Sequence, residues 1–287
     1  MSRSKTLTLF LKDGEPSGRI KCSNKIWKGI AYKIPRTDLD KCKEDKELLD
    51  VLNGCGVYFL FGTDASNNQA VYIGQASNRK NGEGLLLRIQ EPHNSIDYWT
   101  EVILFTTTDN TLGPTEISYL ENRFFNIAQK AGRYRVKNSI EPNSGNISEE
   151  EKSDMDEFID YARIVMGALG HKVFEPIAPT QKLGSDEHYL YLNYGKGKAK
   201  GLQTGEGFAV LKGSTINPGT TKSCPKWSIK DRERYADKID ENNVLTADLL
   251  FSSPSAAAGF VGGACLSGNA LWKNADGKPL KDIIGEH

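Results

Sequence analysis

Apolar positions in the first third of the chain fall in short runs separated by turn residues, the pattern of strands. Residues 7–11 form such a run and end at Lys12-Asp13-Gly14; residues 19–22 and 29–34 follow, the last stopped by Pro35. Residues 38–52 place Leu48, Leu49 and Leu52 on one helical face and predict a short charged helix ending near Gly54. Residues 56–61 and 70–74 are rich in aromatic and β-branched side chains and flank the polar run 63–69, which predicts a β-hairpin. A Gly/Asn-rich loop over 75–84 leads into a helix starting at Leu85, and residues 98–106 predict a third strand. Gly113-Pro114-Thr115 then opens an amphipathic helix to about Lys130, with Ile117, Leu120, Phe124, Ile127 and Ala131 in one stripe and Thr115 as its expected N-cap.

Ser148 and Glu151 form a capping box at the start of a second long helix, which carries Phe158, Tyr161, Ala162 and Val165 inward and ends at Gly170. Residues 176–200 are poor in apolar residues and rich in Gly and Lys, and predict a linker over 176–205. Beyond it, residues 208–211 predict a strand, 230–239 a charged helix, and 251–255 a helix start with Ser253 as N-cap and Pro254 in the first turn. Residues 271–273 predict a closing strand before the turn at Asp276-Gly277. The fold class is therefore α/β (α+β). Its expected divisions are a β-rich N-terminal extension (1–53), a central domain (54–142), a flanking helix (143–175), the linker (176–205) and a small α/β C-terminal domain (206–287).

Composition narrows the function. The 287 residues carry 37 Lys+Arg against 37 Asp+Glu, so net charge marks no nucleic-acid binder and any such role must come from local clusters. The apolar runs are far short of the roughly 20 residues of a membrane span, and 7–11 is too short for a signal peptide. The expectation is a soluble, cytoplasmic protein without a membrane partner. Five scattered cysteines without a C-x-x-C, and four dispersed histidines, exclude a disulfide framework and a structural zinc site.

Taken singly, the polar residues of the central domain have ordinary explanations. A strand tyrosine usually packs in a core or at an edge. A hairpin centred near Ala65-Ser66, however, sets Tyr58 almost opposite Tyr72, and equal parity can put both on one face. Arg88 follows the glycine-rich loop at the start of a helix. Glu121 falls on one flank of the apolar stripe of the 113–130 helix and Glu116 on the other; Glu116 is explained by the helix start, where an acid favours the dipole. Arg123, Lys130, Arg133, Arg135 and Lys137 gather around the end of that helix, and Arg79 and Lys80 lie in the loop before Arg88. Each cluster alone is as well read as a solvated face; together they bracket the same residues, as phosphate-backbone contacts would.

In order along the chain, Gly56-Val57-Tyr58, Tyr72-Ile73-Gly74, the helical Arg88, the helical Glu121 and Asn138 resemble the GIY-YIG nuclease family over roughly 54–140, with Val57 in place of the family's Ile. The resemblance implies a three-stranded antiparallel sheet flanked by helices and a metal-dependent endonuclease that hydrolyses phosphodiesters, with DNA favoured as partner. Carried over by position, Glu121 would hold the metal, Mg2+ with Mn2+ as the alternative; Arg88 would hold the scissile phosphate. Tyr58 would be the base or its relay and Tyr72 would position water or phosphate. Asn138 would hold its loop, and His93, behind Pro92 and one residue late for the family's histidine, is an auxiliary candidate. Such chemistry requires Tyr58, Tyr72, Arg88 and Glu121 to converge on one surface. The stretches 207–214 and 251–258, with the closing Trp272-Lys273, resemble a domain of unknown function that recurs behind such nucleases and on some restriction-modification subunits. By that analogy it would bind DNA or a protein partner. The alternatives are a ribonuclease or structure-specific nuclease, and a catalytically silent nucleic-acid-binding or assembly module.

Overall fold

The computed structural model describes residues 4–77, 84–91, 98–109, 111–178 and 188–285. The chain divides into two compact units, Met1–Glu175 and Pro176–His287.

In the first unit the strands are β1 (Thr8–Leu11), β2 (Ile20–Ser23), β3 (Gly29–Pro35), β4 (Gly56–Thr63), β5 (Gln69–Ala76), β6 (Trp99–Thr107) and β7 (Arg135–Val136). The helices are α1 (Lys41–Glu44), α2 (Lys46–Leu52), α3 (Leu85–Gln90), α4 (Pro114–Ala131) and α5 (Glu149–Ala168). All seven strands join one sheet in the order β1-β2-β3-β6-β4-β5-β7. Only the short β5–β7 pairing is parallel. The expected hairpin and third strand form its centre, β6-β4-β5. Residues 1–53 are not a separate extension: β3 pairs along β6 from Gly29↔Thr107 to Pro35↔Glu101, covering an edge that would otherwise expose unpaired backbone groups. Nor does the 143–175 segment stand apart. Phe158, Ala162 and Val165 of α5 join the core on one face of the sheet, and His171 beyond it stacks on Phe61 and meets Glu101 at 2.9 Å.

β4 is buried on both faces, which explains its unbroken apolar sequence. Val57, Phe59 and Phe61 point toward α4 and α5; Tyr58 and Leu60 point toward α2 and α3. The single helix expected over 38–52 is broken at Asp45, whose carboxylate accepts from Leu48 N–H at 3.1 Å to cap α2 and also pairs with Lys12 and Arg19. The N-cap of α4 is Gly113 rather than Thr115, and the chain leaves that helix through Gly132 at φ +66°. The capping box of Ser148 and Glu151 forms as expected.

The second unit holds β8 (Leu190–Tyr194), β9 (Gly197–Thr204), β10 (Gly207–Val210) and β11 (Leu249–Phe251), an antiparallel sheet in the order β11-β10-β9-β8. With them are α6 (Lys226–Arg234), α7 (Pro254–Gly262), α8 (Gly268–Leu271) and α9 (Leu280–Ile284). The expected linker is thus wrong from residue 190 onward, because β8 and β9 lie inside it. The run Gly197-Lys198-Ala199-Lys200-Gly201 has the period of a strand, with small residues rather than large ones on its inner face. Gly201 leaves the space that the Phe208 ring fills; a Cβ there would stand 2.6 Å from Cε1. The α6 helix starts earlier than expected, at Lys226. Ser253 caps α7 as expected, accepting from Ala256 N–H at 3.1 Å. Leu271 ends a helix instead of opening a strand, and Trp272 is fully buried, its Nε1 donating to Pro254 O at 2.9 Å.

Candidate active site around Glu121

The hairpin register is displaced by two residues from a direct Tyr58–Tyr72 pairing. Tyr58 stands opposite Gly74, and Tyr72 opposite Leu60. The cause is the turn, where the Asp64 carboxylate accepts from Ser66 and Asn68 N–H and Asn67 takes φ +60°. The two tyrosines are therefore diagonal neighbours on one face, with ring centroids 6.2 Å apart. Both motif glycines have steric reasons. A Cβ on Gly74 would lie 2.5 Å from the Tyr58 ring and hydroxyl, and one on Gly56 would lie 2.4 Å from Phe105 O. Gly74→Ala is expected to cost about 1–3 kcal/mol in urea unfolding, because a buried ring has nowhere to retreat. Unchanged stability would show that Tyr58 is loosely held.

Arg88 on α3 reaches the same face, half-buried, and forms an ion pair with Glu91. Glu121 comes from α4 on the opposite face. It is 9% exposed, and Gln75 of β5 lies near enough to favour its charged form. Gln75 and Ser118 bond each other, at 3.1 Å, which fixes this turn of α4 against the end of β5. The helices carrying Arg88 and Glu121 thus cover opposite faces, so Tyr58, Tyr72 and Arg88 share one face as expected and Glu121 does not join them there. Burial pushes the Glu121 carboxyl up to about 7, with the Arg88 charge and Gln75 pulling the other way. Burial raises Tyr58 well above the usual phenol range, with Tyr72 adding to the shift and Arg88 opposing it. Tyr72 is raised by burial too, with the Arg88 charge opposing the shift and Glu121 adding to it.

Glu116 sits at the helix start, its carboxylate accepting from Gly113 N–H at 2.9 Å. Asn138 follows β7 and bonds the backbone of Ile73 twice, accepting from its N–H at 3.1 Å and donating to its carbonyl at 2.7 Å. It acts as one more residue of a parallel strand. Asn138→Ala is expected to cost about 1–3 kcal/mol and to speed hydrogen exchange at the Ile73 amide; unaltered exchange there would contradict this role.

The basic cluster at the end of α4 is partly engaged within the unit. Arg133 Nε donates to Glu175 O at 2.6 Å, Lys137 pairs with Asp64 at 3.0 Å and Arg123 with Asp156 at 3.2 Å. Arg135 lies 4.0 Å from Asp64, and Lys130 is exposed. Arg79, Lys80 and His93 lie outside the described residues. Glu91 is the site residue that sequence reasoning missed; its signal was the i,i+3 spacing from Arg88.

Residues 190–284 match the family model of DUF4357, a domain of unknown function. The C-terminal resemblance is therefore supported, and its domain begins at the first strand of the second unit. The match does not reach the first unit. No curated protein and no solved structure matches the chain. Among the described residues no helix is long and apolar enough to cross a membrane, and no group of three His, Cys, Asp or Glu could hold a metal ion.

Proposed function

We propose that the first unit is a metal-dependent endonuclease of the GIY-YIG type, acting on DNA in preference to RNA. What supports this reading is the grouping of Tyr58, Tyr72 and Arg88 on one face, with the buried Glu121 carboxyl on the α4 side near enough for the Arg88 charge to act on it. A buried carboxyl pushed up toward neutrality is short of positive charge. Mg2+ fits that need, since it binds through one or two carboxylates and otherwise keeps water and substrate oxygens. Glu121 would hold it, with Mn2+ as an alternative, and the ion would add positive charge at the phosphoryl oxygens.

The protein groups divide the remaining tasks. Arg88 holds the scissile phosphate through its fork of donors and stabilises charge as it grows on the phosphoryl oxygens. To do so it exchanges the Glu91 carboxylate for phosphate, or shares itself between the two. Tyr58 keeps its proton at neutral pH, so it serves as a relay that gives and receives a proton rather than as a standing base. Tyr72, half-buried beside it, positions water or phosphate. Asn138 and Gly74 are positioning residues. The test is incubation of the full chain with plasmid, single-stranded DNA and structured RNA, each with Mg2+ or EDTA. Mg2+-dependent cutting of the plasmid supports the reading; cutting of the RNA alone makes the protein a ribonuclease, and binding without cutting makes it a silent module.

A further inference from the structure

The second unit carries a surface that the site around Glu121 does not use. In the β8–β9 pair, Leu190, Leu192 and Ala199 point into the core. The opposite face is a lattice of tyrosines and lysines. Tyr191 stands across from Lys200 on one side and Lys273 on the other, and Asn193 stands across from Lys198. Tyr189 precedes Tyr191 by two residues and shares this face, since Lys200 Nζ lies 3.6 Å from the centroid of its ring and 5.8 Å from that of Tyr191. Lys198 and Lys273 are exposed, and both tyrosines are half-buried. No acidic residue occurs from His188 to Thr204.

Like charges facing each other across strands repel. Here each lysine faces a ring or an amide instead, so a concentrated positive patch is held apart by flat aromatic surface. The ammonium of Lys200, seated on Tyr189, is fixed before any ligand arrives. Charge alone would suit any polyanion. Half-buried rings among the charges suit one that also carries flat faces, and in a duplex those faces are already covered by their neighbours.

We propose that this face binds single-stranded nucleic acid, with phosphates on Lys198, Lys200 and Lys273 and a base stacked on Tyr191. The site belongs to the second unit and needs nothing of the nuclease reading, so an inactive Glu121 site would leave its affinities unchanged.

The experiment is fluorescence anisotropy of the full chain with a labelled oligothymidylate in EDTA, across a range of salt. Tyr191→Leu should weaken binding roughly tenfold, the loss of one stacked base, with the salt slope unchanged. Tyr191→Phe should restore it. Lys198→Ala combined with Lys273→Ala, both on exposed side chains, should flatten the salt slope by about 1.4, at roughly 0.7 for each phosphate no longer neutralised. Heparin, a polyanion without bases, should respond to the lysine variant and not to Tyr191→Leu. Equal affinity for a duplex, an unmoved slope in the lysine variant, or full binding by a folded Tyr191→Leu would overturn the proposal.

Discussion

Glu121→Ala is expected to abolish phosphodiester cleavage while leaving nucleic-acid binding largely intact. Glu121 is the only carboxylate that α4 buries, and loss of electrostatic stabilisation at a reacting centre typically costs at least on the order of 10²–10³ in rate. Glu116→Ala on the same helix provides the control. Its carboxylate serves the backbone N–H of Gly113, so its removal should cost only about 0.5–1 kcal/mol of stability and leave the rate alone. Tyr58→Phe should fall with Glu121→Ala in rate but keep metal affinity, because it deletes one buried hydroxyl and no ligand charge. Gel cleavage at matched protein and Mg2+ concentrations, with folding checked by circular dichroism, separates the three. A dead Glu116→Ala beside an active Glu121→Ala would mean that the wrong face of α4 carries the chemistry.

The second large effect is on stability, and its sign follows from the direction of the Glu121 shift. Burial raises this carboxyl from the ordinary 4.5 to about 7, so the folded chain keeps a proton that the unfolded chain releases. Its favourable contribution is fully present below about pH 4.5 and is lost as pH rises through 7. The whole shift corresponds to an upper limit of about 3 kcal/mol. Glu121→Gln removes the titration. In EDTA the variant should exceed the native chain in stability by roughly 1–3 kcal/mol at pH 8 and match it at pH 4. Adding Mg2+ at pH 8 should raise the Tm of the native chain and leave Glu121→Gln unmoved, since only a group that binds the folded state selectively stabilises it. Equal stability of the two proteins at pH 8 would show that Glu121 is well solvated. A residue kept at the expense of stability is what a functional site predicts.

Much of the central sheet, and the placing of Tyr58, Tyr72 and Arg88 of the candidate site on one face, were legible in the sequence for local reasons. The Asp64 turn displaced the register from a direct Tyr58–Tyr72 pairing by two residues, an even number, so both stayed on one face; a one-residue slip would have separated them. The helical wheel left Glu116 and Glu121 equivalent, and the helix start resolved them. What escaped depends on partners distant in sequence or on small side chains. The pairing of β3 with β6 joins Ala31 to Phe105, and neither segment announces its partner. β9 hides its inner face behind Gly197, Ala199 and Gly201, which hydrophobicity does not count as core. The basic residues after α4 are a cluster in sequence, but Arg133 holds the end of the unit at Glu175 and Lys137 holds the hairpin turn at Asp64. Charge position does not reveal such internal duties.

The most direct test of the nuclease assignment is conversion of supercoiled plasmid by the native chain and by Glu121→Ala, side by side in Mg2+ and in EDTA. The coupled site predicts nicked or linear product from the native chain in Mg2+ alone. Equal conversion by both proteins, or none by either, would contradict it.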